Sequence, residues 1–196
     1  MTYLQPAPAP APLEGQALNR FVQQWIAGVL GSAALDPTLI RPYDQAEPPV
    51  IPDSGTAWMA FSLRADEGDT FSYNVPNRDG SGVTMIRQEG LAVLCSFYDL
   101  GTNGQAASLS SLLRDSVSIS DNLETLTLAG FAFVGCDSQV VIPSLLKERW
   151  LYRVDLPFRL RRQITRVFGV PNITSADGTI VTDGGLPPIP VHVQGT

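Results

Sequence analysis

The sequence predicts an α/β domain of the α+β kind, a mixed and mainly antiparallel sheet packed by helices, with extended N- and C-terminal arms. Three observations predict it. From Trp150 to Phe168 the chain alternates: Trp150, Tyr152, Val154, Leu156, Phe158, Leu160, Ile164 and Phe168 take even positions, and Arg153, Asp155, Arg159, Arg161, Gln163 and Thr165 take odd ones. A period of two gives a strand one dry face and one wet face. Leu18, Phe21, Val22, Trp25, Ile26, Val29 and Leu30 recur at the i, i+3, i+4, i+7 spacing of an amphipathic helix. Leu91–Tyr98 is a short apolar run followed by a Gly/Asn turn and a second amphipathic stretch, which reads as strand, turn and helix.

The elements follow in order. Residues 1–12 contain alternating Pro and Ala, which make neither helix nor ladder, so they form a flexible arm. Residues 13–172 form a single domain, and residues 173–196 an extended tail. The first helix spans Leu13–Leu30, with Gly31 as its C-terminal cap. Residues 34–55 hold five prolines and predict an irregular connector. Ala57–Arg64 is a strand with Ala57, Met59, Phe61 and Leu63 on one face. Residues 66–82 are polar, and Asp79-Gly80 signals a hairpin tip. Val83–Arg87 begins the return strand, with a bulge expected at Gly90 on the way into Leu91–Tyr98.

After the turn Gly101-Thr102-Asn103-Gly104 comes a helix carrying Leu109, Leu112, Leu113 and Val117. A second short helix runs from about Asp121 to Ala129, opened by a capping-box variant at Asp121-Asn122-Leu123-Glu124 and stopped at Gly130. Phe131–Cys136 and Val140–Ile142 read as a strand pair or a strand plus bend, and Ser144–Arg149 as a connector or helical turn. The segment Trp150–Phe168 is long for one strand, and Pro157 inside it lacks an N–H. It is therefore expected at a sheet edge, or bent into two pieces at Pro157. In the tail, Thr179–Thr182 is a candidate short strand between glycine turns.

The totals bound the function. A chain of 196 residues that is 44% hydrophobic can bury a core in one domain of ordinary size. Net charge is −6, which excludes nonspecific nucleic-acid binding over the whole surface. The charge is uneven: residues 147–166 hold seven of the thirteen basic residues against two acidic ones, for +5, and leave −11 on the rest. Cys95 and Cys136 sit among apolar residues, fit no zinc spacing and read as buried thiols. No run reaches the roughly 18 apolar residues of a membrane span, and no secretory signal opens the chain. A soluble cytosolic protein, or part of a particle assembled in the cytosol, is the expectation, with no membrane partner.

No chemistry stands out. His192 is the only histidine, and GxSxG and HExxH are absent. The turn Gly101–Gly104 lacks the lysine and spacing of a phosphate loop and is a plain helix start. Asp66, Glu67 and Asp69 lack the turn glycine and bidentate Glu of a calcium loop. The reading is not an enzyme, with no catalytic, cofactor or metal residue. The specific polar feature is a set of arginines: Arg153, Arg159 and Arg161 on the wet side, with Arg162 and Arg166 interrupting the dry one. Two roles fit. They pair with acidic loops of a neighbouring copy, or they form a basic rim along a passing nucleic-acid backbone. The −11 elsewhere favours the first, and no aromatics interleave on the arginine side for base stacking.

The order of features resembles the neck or tail terminator proteins of contractile-tailed bacteriophages. The residues that carry it are Phe21 and Trp25 in the first helix, Ala57-Trp58-Met59-Ala60-Phe61, and Ser96-Phe97-Tyr98-Asp99 before a small-residue turn. Leu113-Arg114-Asp115, Asn122-Leu123, Ala129-Gly130-Phe131 and Arg149 to Leu156 follow in order. The resemblance runs from about residue 18 to 170. One departure is the segment Tyr98-Asp99-Leu100-Gly101, where the family commonly has a Tyr-Gly pair. The resemblance implies a structural virion protein forming a six-membered ring, which caps the tail tube and joins it to the head-side connector, with DNA passing through the hole. It implies tail tube, sheath and connector as partners, and assembly in the host cytoplasm. A head-completion adaptor or stopper of the neck is the alternative.

Overall fold

The computed structural model describes residues 12–43, 56–69, 71–77, 82–100, 104–146, 149–169, 175–180 and 189–194. They form a mixed, mostly antiparallel seven-stranded sheet, three helices and a separate two-stranded sheet. The chain divides into two compact units. One holds Pro12–Ser72 and Arg87–Ile164; the other holds Tyr73–Ile86 and the chain from Thr165 onward.

Helix α1 (Gly15–Leu30) buries Leu18, Val22, Trp25, Ile26 and Leu30, as its periodicity dictates. It begins after Leu13, whose carbonyl is taken by the Arg162 side chain. Gly31, at φ 75°, turns the chain while its N–H donates to the Ala27 carbonyl at 3.0 Å. The expected connector is partly regular: a 3₁₀ turn, Pro37–Leu39, leads into strand β1 (Ile40–Pro42). The Asp36 carboxylate holds the turn by accepting from the Thr38 amide at 2.8 Å. A strand of three residues is too short to show a period. The rest of that connector, and residues 1–11 of the arm, lie outside the described residues.

Strand β1 runs parallel to β2 (Trp58–Gly68), with Ile40 opposite Met59. Strand β3 (Tyr73–Pro76) pairs with the start of β4 (Gly82–Asp99), and β4 continues antiparallel to β2. The bulge expected at Gly90 lies on the opposite strand. Ala65 faces Leu91 and Gly68 faces Glu89, so Asp66 and Glu67 share Gly90 as partner. Asp69 stitches it shut: its N–H donates to the Gln88 carbonyl and its carboxylate accepts the Gln88 N–H.

Helix α2 (Gln105–Ser116) starts where the buried Asp99 carboxylate accepts the Gln105 N–H at 3.1 Å. An acid at a helix N-terminus meets the positive end of the dipole, which gives the Asp99 departure a physical reason. Helix α3 (Ser120–Leu128) has no side-chain cap at its start, contrary to the capping box expected there. Asn122 instead donates backwards to the Ser116 carbonyl at the end of α2, and its own carbonyl accepts from Trp25 Nε1. Gly130, at φ 81°, ends the helix region as expected.

Strands β5 (Phe131–Cys136) and β6 (Val140–Leu146) do not pair with each other; both pair with β7 (Arg149–Gly169). Residues 144–146, expected in a connector or helical turn, belong to the β6 strand. The sheet order is β1-β2-β4-β7-β5, with β6 also on β7 and β3 also on β4. So β7 is one unbroken interior strand, which corrects the expected edge or bend. Pro157 explains how. Strand β6 pairs as far as Asp155 and β5 takes over at Phe158, so Pro157 sits in the gap between them. Its carbonyl accepts from Asp137 N–H at 2.9 Å in that gap. In an antiparallel strand a residue's N–H and C=O point to the same side, so the missing N–H also falls where no ladder bond is needed.

All three helices contribute to one core with one face of the sheet. Trp25 and Ile26 from α1, Leu109 and Leu113 from α2, and Leu126 from α3 meet Met59, Phe61, Val93, Phe97, Leu156, Phe158 and Leu160. In the second unit, Asn77 N–H donates to the Gly82 carbonyl across the β3–β4 hairpin. A Cβ at Gly82 would collide with the Phe168 carbonyl oxygen, so only glycine fits. The C-terminal tail forms a ribbon of β8 (Ser175–Ile180) and β9 (Ile189–Gln194), with Ile180 opposite Ile189. That is more structure than the extended tail expected; the candidate strand at Thr179–Thr182 begins earlier, at Ser175.

Candidate assembly surface

The face of the sheet turned away from the helical core is built by a simple parity. Even residues of β2 and β4 and odd residues of β7 share it. The pairs Gln88–Gln163 and Glu89–Arg162 show that β4 and β7 run antiparallel, with Gly90 opposite Arg161 and Ala92 opposite Arg159. Across β2 the register places Arg64 beside Ala92. The face has two unlike ends.

One end is closed. Trp58 stacks on Tyr98 with ring centroids 4.0 Å apart and planes 9° from parallel. The Arg153 guanidinium lies 5.7 Å from the centre of the Tyr98 ring and forks onto Asp155, both bonds 2.7 Å. The Tyr43 and Tyr98 hydroxyls hydrogen-bond to each other. Ala60, Leu151 and Asp155 are buried beside them. Burial, then the Tyr43 hydroxyl, pushes the Tyr98 phenol well above its ordinary value. The hydrogen bonds to Asp155 raise Arg153 in turn.

The other end is open. Arg159 is half exposed and reaches only Asp137, equally exposed, at 3.4 Å. Arg161 and Arg64 are exposed, and among the described residues neither has an ion-pair partner. A groove of about 290 Å³ runs here, with Gly90 in it, Asp66 and Asp69 on one wall and Arg159 and Arg161 on the other. With strands about 4.8 Å apart, Arg64 and Arg159 stand roughly 10 Å from each other across Ala92.

The remaining two arginines differ again. Arg162 points into the helix side, is 8% exposed and forks onto Glu89 at 2.6 Å. It also donates to the Leu13 carbonyl and lies over the Phe131 ring, tying α1 to the sheet. Its fork is consumed within the chain. Arg166 is half-buried near the end of β7, in the second unit. Arg64 was not among the arginines singled out by sequence. Its signal was there: it is an even residue in a strand whose odd residues are apolar.

A family model described as the phage neck terminator protein matches residues 16–185, most of the chain. The chain belongs to that family. The match runs past residue 170, where the sequence resemblance was placed, and reaches into the tail. Among solved structures, a chain of the virion of a native gene transfer agent particle is 15% identical, with 79% of this chain and 100% of that chain covered and a TM-score of 0.31. No curated protein matches. For a phage neck terminator, a structural component of the virion neck, what matters about this face is what it can hold. The closed end has satisfied its own charges; the open end presents oppositely charged walls, and among the described residues Arg64 and Arg161 have no ion-pair partner.

Proposed function

We propose that the protein is a ring-forming tail terminator in the neck of a contractile-tailed phage. Six copies close a ring that caps the finished tail tube, abuts the sheath and joins the tail to the head-side connector. Double-stranded DNA passes through the hole, touching the ring without sequence preference. The ring is assembled in the host cytoplasm and stays in the virion. No reaction is performed.

The observation that carries this reading is the family match across the whole helix-and-sheet unit. The surface is consistent with it. A ring needs two different, complementary patches on each copy. At the open end of the sheet face, Arg159 has only an exposed 3.4 Å contact to Asp137, and among the described residues Arg64 and Arg161 have no carboxylate partner. Arg159 and Arg161 are the arginines of β7 left for a neighbour; Arg153 and Arg162 spend their forks inside the chain.

Electron microscopy of the intact particle tests it. The expected result is six copies in one layer, between the last tube ring and the connector. Density for this chain against the portal before any tail is attached would instead make it a head-completion adaptor or stopper. A purified chain that stays monomeric at every concentration, and forms no ring with tail-tube protein, would sink the terminator reading.

A further inference from the structure

We infer that the helix-free groove of one copy receives the α2–α3 ridge of the next. This rests on the ring reading above and deepens it by naming the two surfaces that meet. The groove lies on one side of the sheet; α2 and α3 pack on the other side of the same unit, contributing Leu113 and Leu126 to the core. A head-to-tail contact requires two different patches on each copy, and patches on the two sides of the sheet let each copy offer one to each neighbour.

Three features fit the ridge to the groove. First, the ridge carries large apolar side chains in water: Ile119 is 52% exposed and Leu128 82% exposed. The groove has its own apolar exposure in Val134, at 57%. Solvent-facing apolar groups of this size on two faces of one molecule are covered when the faces meet. Second, the charges are complementary. Asp121 and Glu124 are exposed on α3, and Arg159 and Arg161 line the groove on its β7 side. The opposite wall, Asp66 and Asp69, is acidic, and Arg114 on α2 is exposed to meet it. Third, Gly90 and Gly68 lie in the groove, so no side chain rises at those two positions.

The same walls argue against DNA as the occupant. A phosphate backbone entering the groove would gain Arg159 and Arg161 but also meet Asp66 and Asp69 in the same lining. A site for passing DNA is favoured by one sign of charge. A protein ridge with both signs loses nothing to the acidic wall.

The test is a charge swap on the full chain, read by sedimentation velocity and native mass spectrometry, alone and mixed with the tube protein. Arg159→Glu with Arg161→Glu should weaken self-association by at least about a hundredfold, as should Asp121→Lys with Glu124→Lys. All four substitutions together should restore it to within about tenfold of wild type, since the pairs are re-formed with signs exchanged. The wild-type association should also weaken as salt rises. The restoration guards against misfolding, because a damaged fold is not repaired by further change. Rings that form equally well from wild type and from either reversed pair overturn the proposed contact and leave the ring reading standing. So do reversed pairs that both abolish rings with no recovery in the combined variant. If Arg159→Glu with Arg161→Glu leaves rings intact but abolishes retention of double-stranded DNA, the groove belongs to DNA and the contact is overturned. A wild type that never forms a ring overturns both.

Discussion

Arg153 and Arg159 stand on the same face of the same strand, each with an aspartate close by, yet their situations are opposite. Asp155 sits two residues along from Arg153, is almost fully buried, and meets the guanidinium with two bonds of 2.7 Å under the Trp58–Tyr98 stack. Asp137 lies across the β5–β6 gap from Arg159, in water, and offers one contact of 3.4 Å. The first is a finished internal pair; the second is weak, solvent-screened and easily exchanged for a better partner. What decides the role of an arginine here is therefore the depth and geometry of its acid, more than its position in the alternating pattern. The closed end of the sheet face stabilises the fold, while the open end holds, among the described residues, only the exposed Arg159–Asp137 contact.

The sharpest way to test that division is the arginine that is wholly internal. Arg162→Ala leaves the Leu13 carbonyl without its donor and leaves Glu89 with only its 3.1 Å bond from Arg87, in a site that is largely dry. Removing one member of a buried pair costs about 3–5 kcal/mol. Thermal unfolding should shift down by roughly 10 °C for a chain of this size. Arg162→Met combined with Glu89→Leu should recover part of the loss, because a buried pair replaced by apolar groups of similar volume is often neutral, while Arg87 loses its own bond to Glu89. A single variant as stable as wild type would remove the distinction between inner and outer arginines.

Next in size is the closed end. Arg153→Ala strips Asp155 of both hydrogen bonds and Tyr98 of its cation. About 2 kcal/mol of stability should go, less than for Arg162 because the Arg153 side chain keeps 27% exposure. Denaturant unfolding measures it. If Arg153→Ala were neutral, the closed end would be no more internal than the open one.

The closed end also has a pH signature. Tyr98 should ionise above the ordinary tyrosine value when tyrosinate absorbance is followed into alkali. Its folded-state value lies above the ordinary 10.0 because burial disfavours the phenolate. The sign follows: the contribution is complete below about pH 10 and is lost as pH rises beyond that, since the unfolded chain gives up the proton first. Alkaline unfolding should therefore coincide with the ionisation of Tyr98. A Tyr98 that titrates near 10 in the folded chain would mean that water reaches the stack.

Much of this was legible in the sequence. Local periodicity carried α1, the two short helices and the dry side of β7, since each is decided by neighbours within a few residues. The face assignment of Arg159 and Arg161 came from the same parity. What was not legible depends on distant partners. Pro157 looked like an edge signal because nothing local says that two strands hand over opposite it. The three-residue β1 has no period to read. Arg162 looked misplaced on the dry side until Glu89, on another strand, was found across from it. Asp121–Glu124 has the spacing of a cap, but the turn between the two helices puts Asn122 under the preceding helix instead.

The smallest expected effect is the one that bears most on assembly. Arg159→Ala together with Arg161→Ala removes only a half-exposed pair of 3.4 Å and an exposed side chain that has no ion-pair partner among the described residues. Surface ion pairs of this sort contribute about 0–1 kcal/mol, and side-chain stems lying on small residues add little packing. The stability of the isolated chain should stay within about 0.5 kcal/mol of wild type by denaturant unfolding, measured below the concentration at which copies associate. Working dilute is essential to that comparison: any ring that forms would stabilise the wild type by mass action and make a lost contact between copies look like a lost contact within one. The difference between dilute and concentrated samples then becomes the informative quantity. Equal stability when dilute, with a wild-type advantage that grows with concentration, places the two arginines at a boundary between copies; a deficit that is already full size when dilute returns them to the fold.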